Sequence, residues 1–141
     1  MDANNTITEL ENLDCSVVKR FSLKDMIIDA KVVSVYDGDT ITIVFKLFEN
    51  YYKWSCRLDG IDTPELKTKN IDEKQEAIRA RDYLRSIIMN KIVSITCGDF
   101  DKYGRLLVTV FYNNDNVNNR MIQSGYAKSY HGGTKEAWEP V

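Results

Sequence analysis

The sequence predicts a small α+β fold that is mainly β, a five-stranded barrel carrying two to three helices. Three observations carry that expectation. Five segments read as strands, three of them before residue 60 and two after residue 90. One stretch between the two groups switches to helical periodicity. Turns rich in Asp, Asn and Gly punctuate the series. A chain of 141 residues with 43% apolar and 28% charged side chains has room for one domain with a real core.

The elements follow in order. Residues 1–25 are polar and weakly patterned and are expected to lie outside the core as an extension, with one short helix near residues 7–13. The domain proper is expected over 26–141. Its first strand, 26–36, is rich in Ile and Val and closes at Asp37-Gly38, a strong hairpin signal. In the second, Ile41, Ile43 and Phe45 alternate with Thr40, Thr42 and Val44. In the third, Tyr52, Trp54, Cys56 and Leu58 face one way, and Lys53, Ser55, Arg57 and Asp59 the other. Ala77, Ala80, Leu84, Ile87 and Ile88 then fall on one stripe of a helix of about five turns, fed by a loop containing Thr63-Pro64. A fourth strand spans 91–97, a turn 98–104, and a fifth strand 105–112 points Leu106, Val108, Val110 and Tyr112 inward. A polar turn at 113–116 leads into a short helix at 117–124, capped by Gly125. Residues 134–138 are expected to form a turn at most. This order fits a barrel of the OB-fold type.

Composition narrows the function only partly. The net charge of −2 and pI of about 5.4 argue against a broadly basic nucleic-acid surface. Charge is uneven, however: residues 67–91 hold seven basic side chains against four acidic ones, a pattern that ordinary helix-surface ion pairs also produce. No apolar run approaches the ~20 residues of a membrane span, and the first residues lack the basic start of a secretory signal. Cys15, Cys56 and Cys97 are odd in number and far apart, which disfavours a disulfide framework or a zinc site. An intracellular, cytoplasmic setting and a monomeric state are the expectation.

Three polar segments stand at element ends, where a rigid scaffold can hold functional groups against solvent. They are Asp37-Gly38-Asp39-Thr40, the stretch Arg57-Leu58-Asp59-Gly60-Ile61-Asp62-Thr63-Pro64-Glu65, and Asp101-Lys102-Tyr103-Gly104-Arg105. Turn chemistry alone explains the first, and a surface ion pair the third. It does not explain an arginine placed among three carboxylates in the second. Arginine's planar fork suits two phosphate oxygens at once. Paired aspartates offer oxygen ligands to a hard cation. The single histidine, His131, and the scattered cysteines give no zinc set.

Together the three segments resemble the staphylococcal-nuclease-like (thermonuclease) domain over about residues 26–131. The resemblance implies that Asp39, Asp62 and the backbone carbonyl of Thr63 hold a metal ion. It implies that Glu65 positions or deprotonates the attacking water, and that Arg57 and Arg105 grip the scissile phosphate. Asp101, Lys102 and Tyr103 match the turn around the second arginine, with Tyr103 against a neighbouring phosphate. Tyr130 lies about one residue from a further family tyrosine. The activity so implied is hydrolysis of DNA and RNA, single strands preferred, leaving 3′-phosphate ends. Ca²⁺ is the implied metal, with Mg²⁺ or Mn²⁺ as alternatives. The chain departs from the family in a short loop after Glu65, a short tail and the additional residues 1–25. The competing expectation is a catalytically inactive module on the same fold that binds nucleic acid or protein.

Overall fold

The computed structural model describes residues 3–131. Helix α1 (Ala3–Asn12) and a single 3₁₀ turn (Cys15–Val17) precede strands β1 (Ile27–Val35), β2 (Thr40–Leu47), β3 (Asn50–Leu58) and β4 (Ile61–Asp62). Helix α2 (Ile71–Ile88), strands β5 (Ile92–Phe100), β6 (Leu106–Tyr112) and β7 (Asp115–Asn116), helix α3 (Val117–Gln123) and strand β8 (Lys128–Ser129) follow. The sheet runs β3-β2-β1-β5-β6-β7, and a further pairing of β3 with β6 closes five of these strands into a barrel. That closing pair is parallel, with Arg57 opposite Leu107, whereas the other pairs are antiparallel. The mainly β, α+β barrel with helices expected from the sequence is the observed fold, and it is consistent with the OB type.

Alternation along the strands builds the core. Val32, Ile41, Ile43, Phe45, Cys56, Leu58, Val93, Ile95, Leu106, Val108 and Val110 fill the barrel. Along α2, Ala80, Leu84 and Ile88 pack against them, and Ala77 on the same stripe is also buried. Asn70 caps α2 by accepting from the N–H groups of Asp72 and Glu73. Arg85 ties the helix to β1, its Nη2 and Nε donating to the Val35 carbonyl at 2.9 and 3.1 Å. Gly125, at φ +82°, ends α3 in the left-handed conformation that glycine adopts most cheaply.

Several local features differ from the expectation. Helix α1 begins at Ala3, a turn before the expected 7–13. Leu23, inside the segment read as an extension, is 1% exposed and belongs to the core. β5 continues through Gly98 to Phe100, and the irregularity in its pairing with β6 falls there instead of a turn. The β2–β3 connection is a two-residue hairpin whose central residues, Phe48 and Glu49, both have positive φ. Such a turn normally calls for Asn-Gly, so the sequence does not advertise it. Residues 134–138 lie outside the described residues. Among the described residues no helix is long and apolar enough to cross a membrane.

Candidate active site

The first polar segment opens β2 and the second closes β3. Because Thr40 pairs with Arg57, Asp39 is set beside that arginine by strand register alone. The Leu58 N–H donates to the Asp39 carbonyl at 2.8 Å and fixes the two strand ends together. Arg57 is 8% exposed, and its Nη2 lies 3.4 Å from both Asp39 Oδ2 and Asp62 Oδ1. Both aspartates are 6% exposed. A buried carboxylate without a partner is costly, and a shared guanidinium offsets that cost.

Backbone donors complete the arrangement. The Thr63 N–H reaches Asp39 Oδ2 at 3.2 Å, and the Thr40 hydroxyl reaches Oδ1 at 3.1 Å. Asp37 accepts from the Asp39 N–H at 3.0 Å. Burial pushes the Asp37 carboxyl up to about 7, and the neighbouring Asp39 charge acts in the same direction. The turn between the two acids packs tightly. A Cβ on Gly38 would stand 2.8 Å from Thr63 Cγ2 and 2.9 Å from Ala80 Cβ, so only glycine lets α2 and Thr63 approach this closely.

β4 and β8, which the sequence does not signal, position the next group. Their pairing sets Asp62 opposite Lys128, and the Tyr130 N–H donates to the Gly60 carbonyl at 2.8 Å. Tyr130 is thereby laid on Arg57, its ring centroid 5.4 Å from the guanidinium carbon. Asn118, 3% exposed, supports the same loop, its Nδ2 donating to the carbonyls of Asp59 and Val108 while its Oδ1 accepts from the Val110 N–H.

The third segment forms the facing wall. Asp101 accepts from the N–H groups of Tyr103 and Arg105, both at 2.9 Å, and from Arg105 Nε at 2.8 Å. Burial alone would raise the Asp101 carboxyl, but those N–H donors and the guanidinium charge outweigh it and hold it below the usual carboxylate range. Tyr103, 72% exposed, carries Lys102 and Arg105 over its ring, at 5.2 and 5.5 Å from the centroid.

A cleft of about 760 Å³ lies between these walls. Asp39, Arg57, Thr63, Glu65, Lys102, Tyr103, Arg105 and Tyr130 all line it. Asp62 does not reach the cleft wall and meets the site through Arg57. Glu65 is exposed, and its own N–H donates to Glu73 Oε1 at 3.3 Å, which fastens the short loop to the start of α2. Asp37, Asp59 and His131 also line the cleft, although the sequence does not single them out as site residues. Asp37 and Asp59 carried a signal, since both belong to the motifs. His131 did not.

Oxygen donors dominate the acidic wall, as a hard divalent cation requires. Among the described residues no three Asp, Glu, His or Cys side chains gather closely enough to form a ligand set by themselves. Asp39 and Asp62 are instead joined through Arg57. Asp37, on the same wall, is raised mainly by its burial and secondarily by the Asp39 charge beside it.

Residues 55–139 match the model of the family described as staphylococcal nuclease homologue. The chain belongs to that family. It is 34% identical over 105 residues to an uncharacterized endonuclease of Escherichia coli O157:H7, covering 73% of this chain and 61% of that protein. It is 28% identical over 101 residues to the thermonuclease of Staphylococcus hyicus, covering 70% and 57%. An uncharacterized protein of Methanocaldococcus jannaschii is 32% identical over 124 residues, covering 71% and 58%. The chain thus spans only about half to three-fifths of the length of such relatives.

Proposed function

We propose that this staphylococcal nuclease homologue is a metal-dependent phosphodiesterase. It hydrolyses DNA and RNA with little sequence preference, favours single strands and leaves 3′-phosphate ends. One observation carries this reading: Arg57 on β3 and Arg105 immediately before β6, brought together by the pairing that closes the barrel, line the same cleft as Asp39 and Glu65.

A phosphodiester is an anion that gains charge as it is attacked, so a catalyst needs a positive clamp, an activated water and in-line alignment. Arg57 and Arg105 supply the clamp, each able to hold phosphate oxygens through a planar fork. Tyr130 and the acid pair keep Arg57 from swinging, and Asp101 does the same for Arg105. Glu65 takes a proton from the attacking water as the water oxygen bonds to phosphorus and the bond to the 5′ oxygen breaks. That 5′ oxygen leaves as a hydroxyl after taking a proton from solvent. Its exposed position at the cleft rim leaves room for that water. Lys102 and Tyr103 bind the adjoining phosphate. Asp39, Asp62 and the carbonyl of Thr63 would hold the divalent cation, Ca²⁺ or in its place Mg²⁺ or Mn²⁺, which when bound supplies positive charge and Lewis acidity. Backbone contacts of this kind read little base identity.

The test is cleavage of labelled single-stranded DNA and RNA with each of the three cations and with chelator, followed by end-group analysis. The expected result is cation-dependent cutting with 3′-phosphate products. A protein that binds the oligonucleotides and cuts none of them with any cation is instead a binding module.

A further inference from the structure

The outer face of β1, β2 and β3 continues the cleft, and nothing in the catalytic reading uses it. Residues of β3 with odd numbers point outward with Arg57, so Ser55, Lys53 and Tyr51 follow it along one line at two-residue steps. All three are exposed, Tyr51 at 71%. Strand register sets positive charge across this line. Val44 pairs with Lys31 on one side and Lys53 on the other, so the two lysines flank one residue in a transverse row. In the next row Lys46 stands opposite Tyr51, its Nζ 5.9 Å from the ring centroid. The row nearer the cleft holds Ser34, Thr42 and Ser55, so no carboxylate interrupts it. Two acids border this face: Asp29, exposed and two residues before Lys31 on the same side of β1, and Glu49 on the hairpin tip, 3.6 Å from Lys46 and almost fully exposed.

We propose that this face is a binding track for the single-stranded nucleic acid that flanks the scissile phosphate, running from Arg57 to Tyr51. The inference rests on the nuclease reading and gives it a substrate length. Six steps along a strand extend about 20 Å, enough for roughly the four nucleotides at the short end of single-strand sites on this type of barrel. Lysines Lys31, Lys53 and Lys46 follow the phosphates, and Tyr51 offers a ring on which a base stacks without regard to its identity. An acidic protein would thus set positive charge along a path leading to the cleft.

The experiment is fluorescence anisotropy of labelled trimers and octamers, DNA and RNA separately, in chelator across a salt series. The octamer is expected to bind more tightly than the trimer. The double variant Lys31→Gln, Lys53→Gln is expected to flatten the octamer's log K against log salt slope by roughly 1.4, about 0.7 for each phosphate no longer neutralised. Tyr51→Ala is expected to weaken the octamer about tenfold, in line with the removal of one base stack, and to leave the trimer unchanged. Lys74→Gln, an exposed lysine on α2, serves as the control. An octamer no tighter than the trimer overturns the track, as does a slope that the control flattens as much as the double variant. Failure of the nuclease reading shows separately, as absence of cleavage by the unaltered protein when a cation is added.

Discussion

Arg57 bears two opposed demands, since it must neutralise Asp39 and Asp62 and still present donors to the cleft. Its planar fork can meet both, and a lysine point charge cannot. Arg57→Ala is therefore expected to lower cleavage by roughly 10²–10³. It is also expected to lower stability in chelator by about 3–5 kcal/mol, the usual result of orphaning buried charges. Arg57→Lys should recover stability more fully than rate. Denaturant melts alongside initial rates check this, and a lysine variant of normal rate would count against the fork. Asp101 shows the opposite economy, one acid holding a turn that carries the second arginine. Its carboxyl is held below the ordinary range, so its stabilisation is fully present above the unfolded-chain value near about 4. That stabilisation is lost as pH falls through the lowered folded value. Amide shifts of Tyr103 and Arg105 should stay constant from pH 7 to 5 and move only below about 4, and Asp101→Asn should abolish the movement. A midpoint near neutrality would contradict the assignment.

Strands and helices were legible in the sequence wherever periodicity was long. Ile41, Ile43 and Phe45 gave β2 and its facing, and the Ala77–Ile88 stripe gave α2, because burial on one face leaves its period in the chain. What was not legible had no period to leave. β4 and β8 are two residues each and exist only through tertiary pairing, yet they place Asp62 and Tyr130. Leu23 looks like one apolar residue in a polar arm, and only the fold shows that the core receives it. The Phe48-Glu49 hairpin was hidden for another reason, since its residues contradict their own backbone. Both sit at positive φ, at 50° and 69°, where a side chain costs about 1–2 kcal/mol per residue. Replacing the pair with Asn-Gly is expected to raise stability by about 1–2 kcal/mol. The Lys46–Glu49 ion pair that the replacement removes is exposed and worth little. Thermal melts decide it. An unchanged or lower midpoint would mean that the Phe21–Phe48 ring contact, at 6.1 Å, outweighs the strain.

Barrel closure connects the two ends of the chemistry. Arg57 stands on the third strand and Arg105 just before the sixth, and the parallel pairing of β3 with β6 brings them to one cleft. Neither motif implies this alone. Their joint occurrence at strand ends is what made the convergence legible in the sequence, and it did so through the barrel, not through local pattern. Asp37 and Asp39 are both buried at this end of the barrel, where burial pushes the Asp37 carboxyl up to about 7. Any ion that binds the folded form and not the unfolded chain must then stabilise it, by about 2.7 kcal/mol at a hundred times its dissociation constant. For a chain of this size that is a rise of roughly 8 °C in melting temperature. Saturating Ca²⁺ is expected to produce it, chelator to reverse it, and Asp39→Asn to remove most of it, with or without nucleic acid present. Because the measurement needs no turnover, it separates cation binding from catalysis. Identical melts with Ca²⁺ and with chelator would mean that the acidic wall takes no Ca²⁺, whatever the cleavage assay shows.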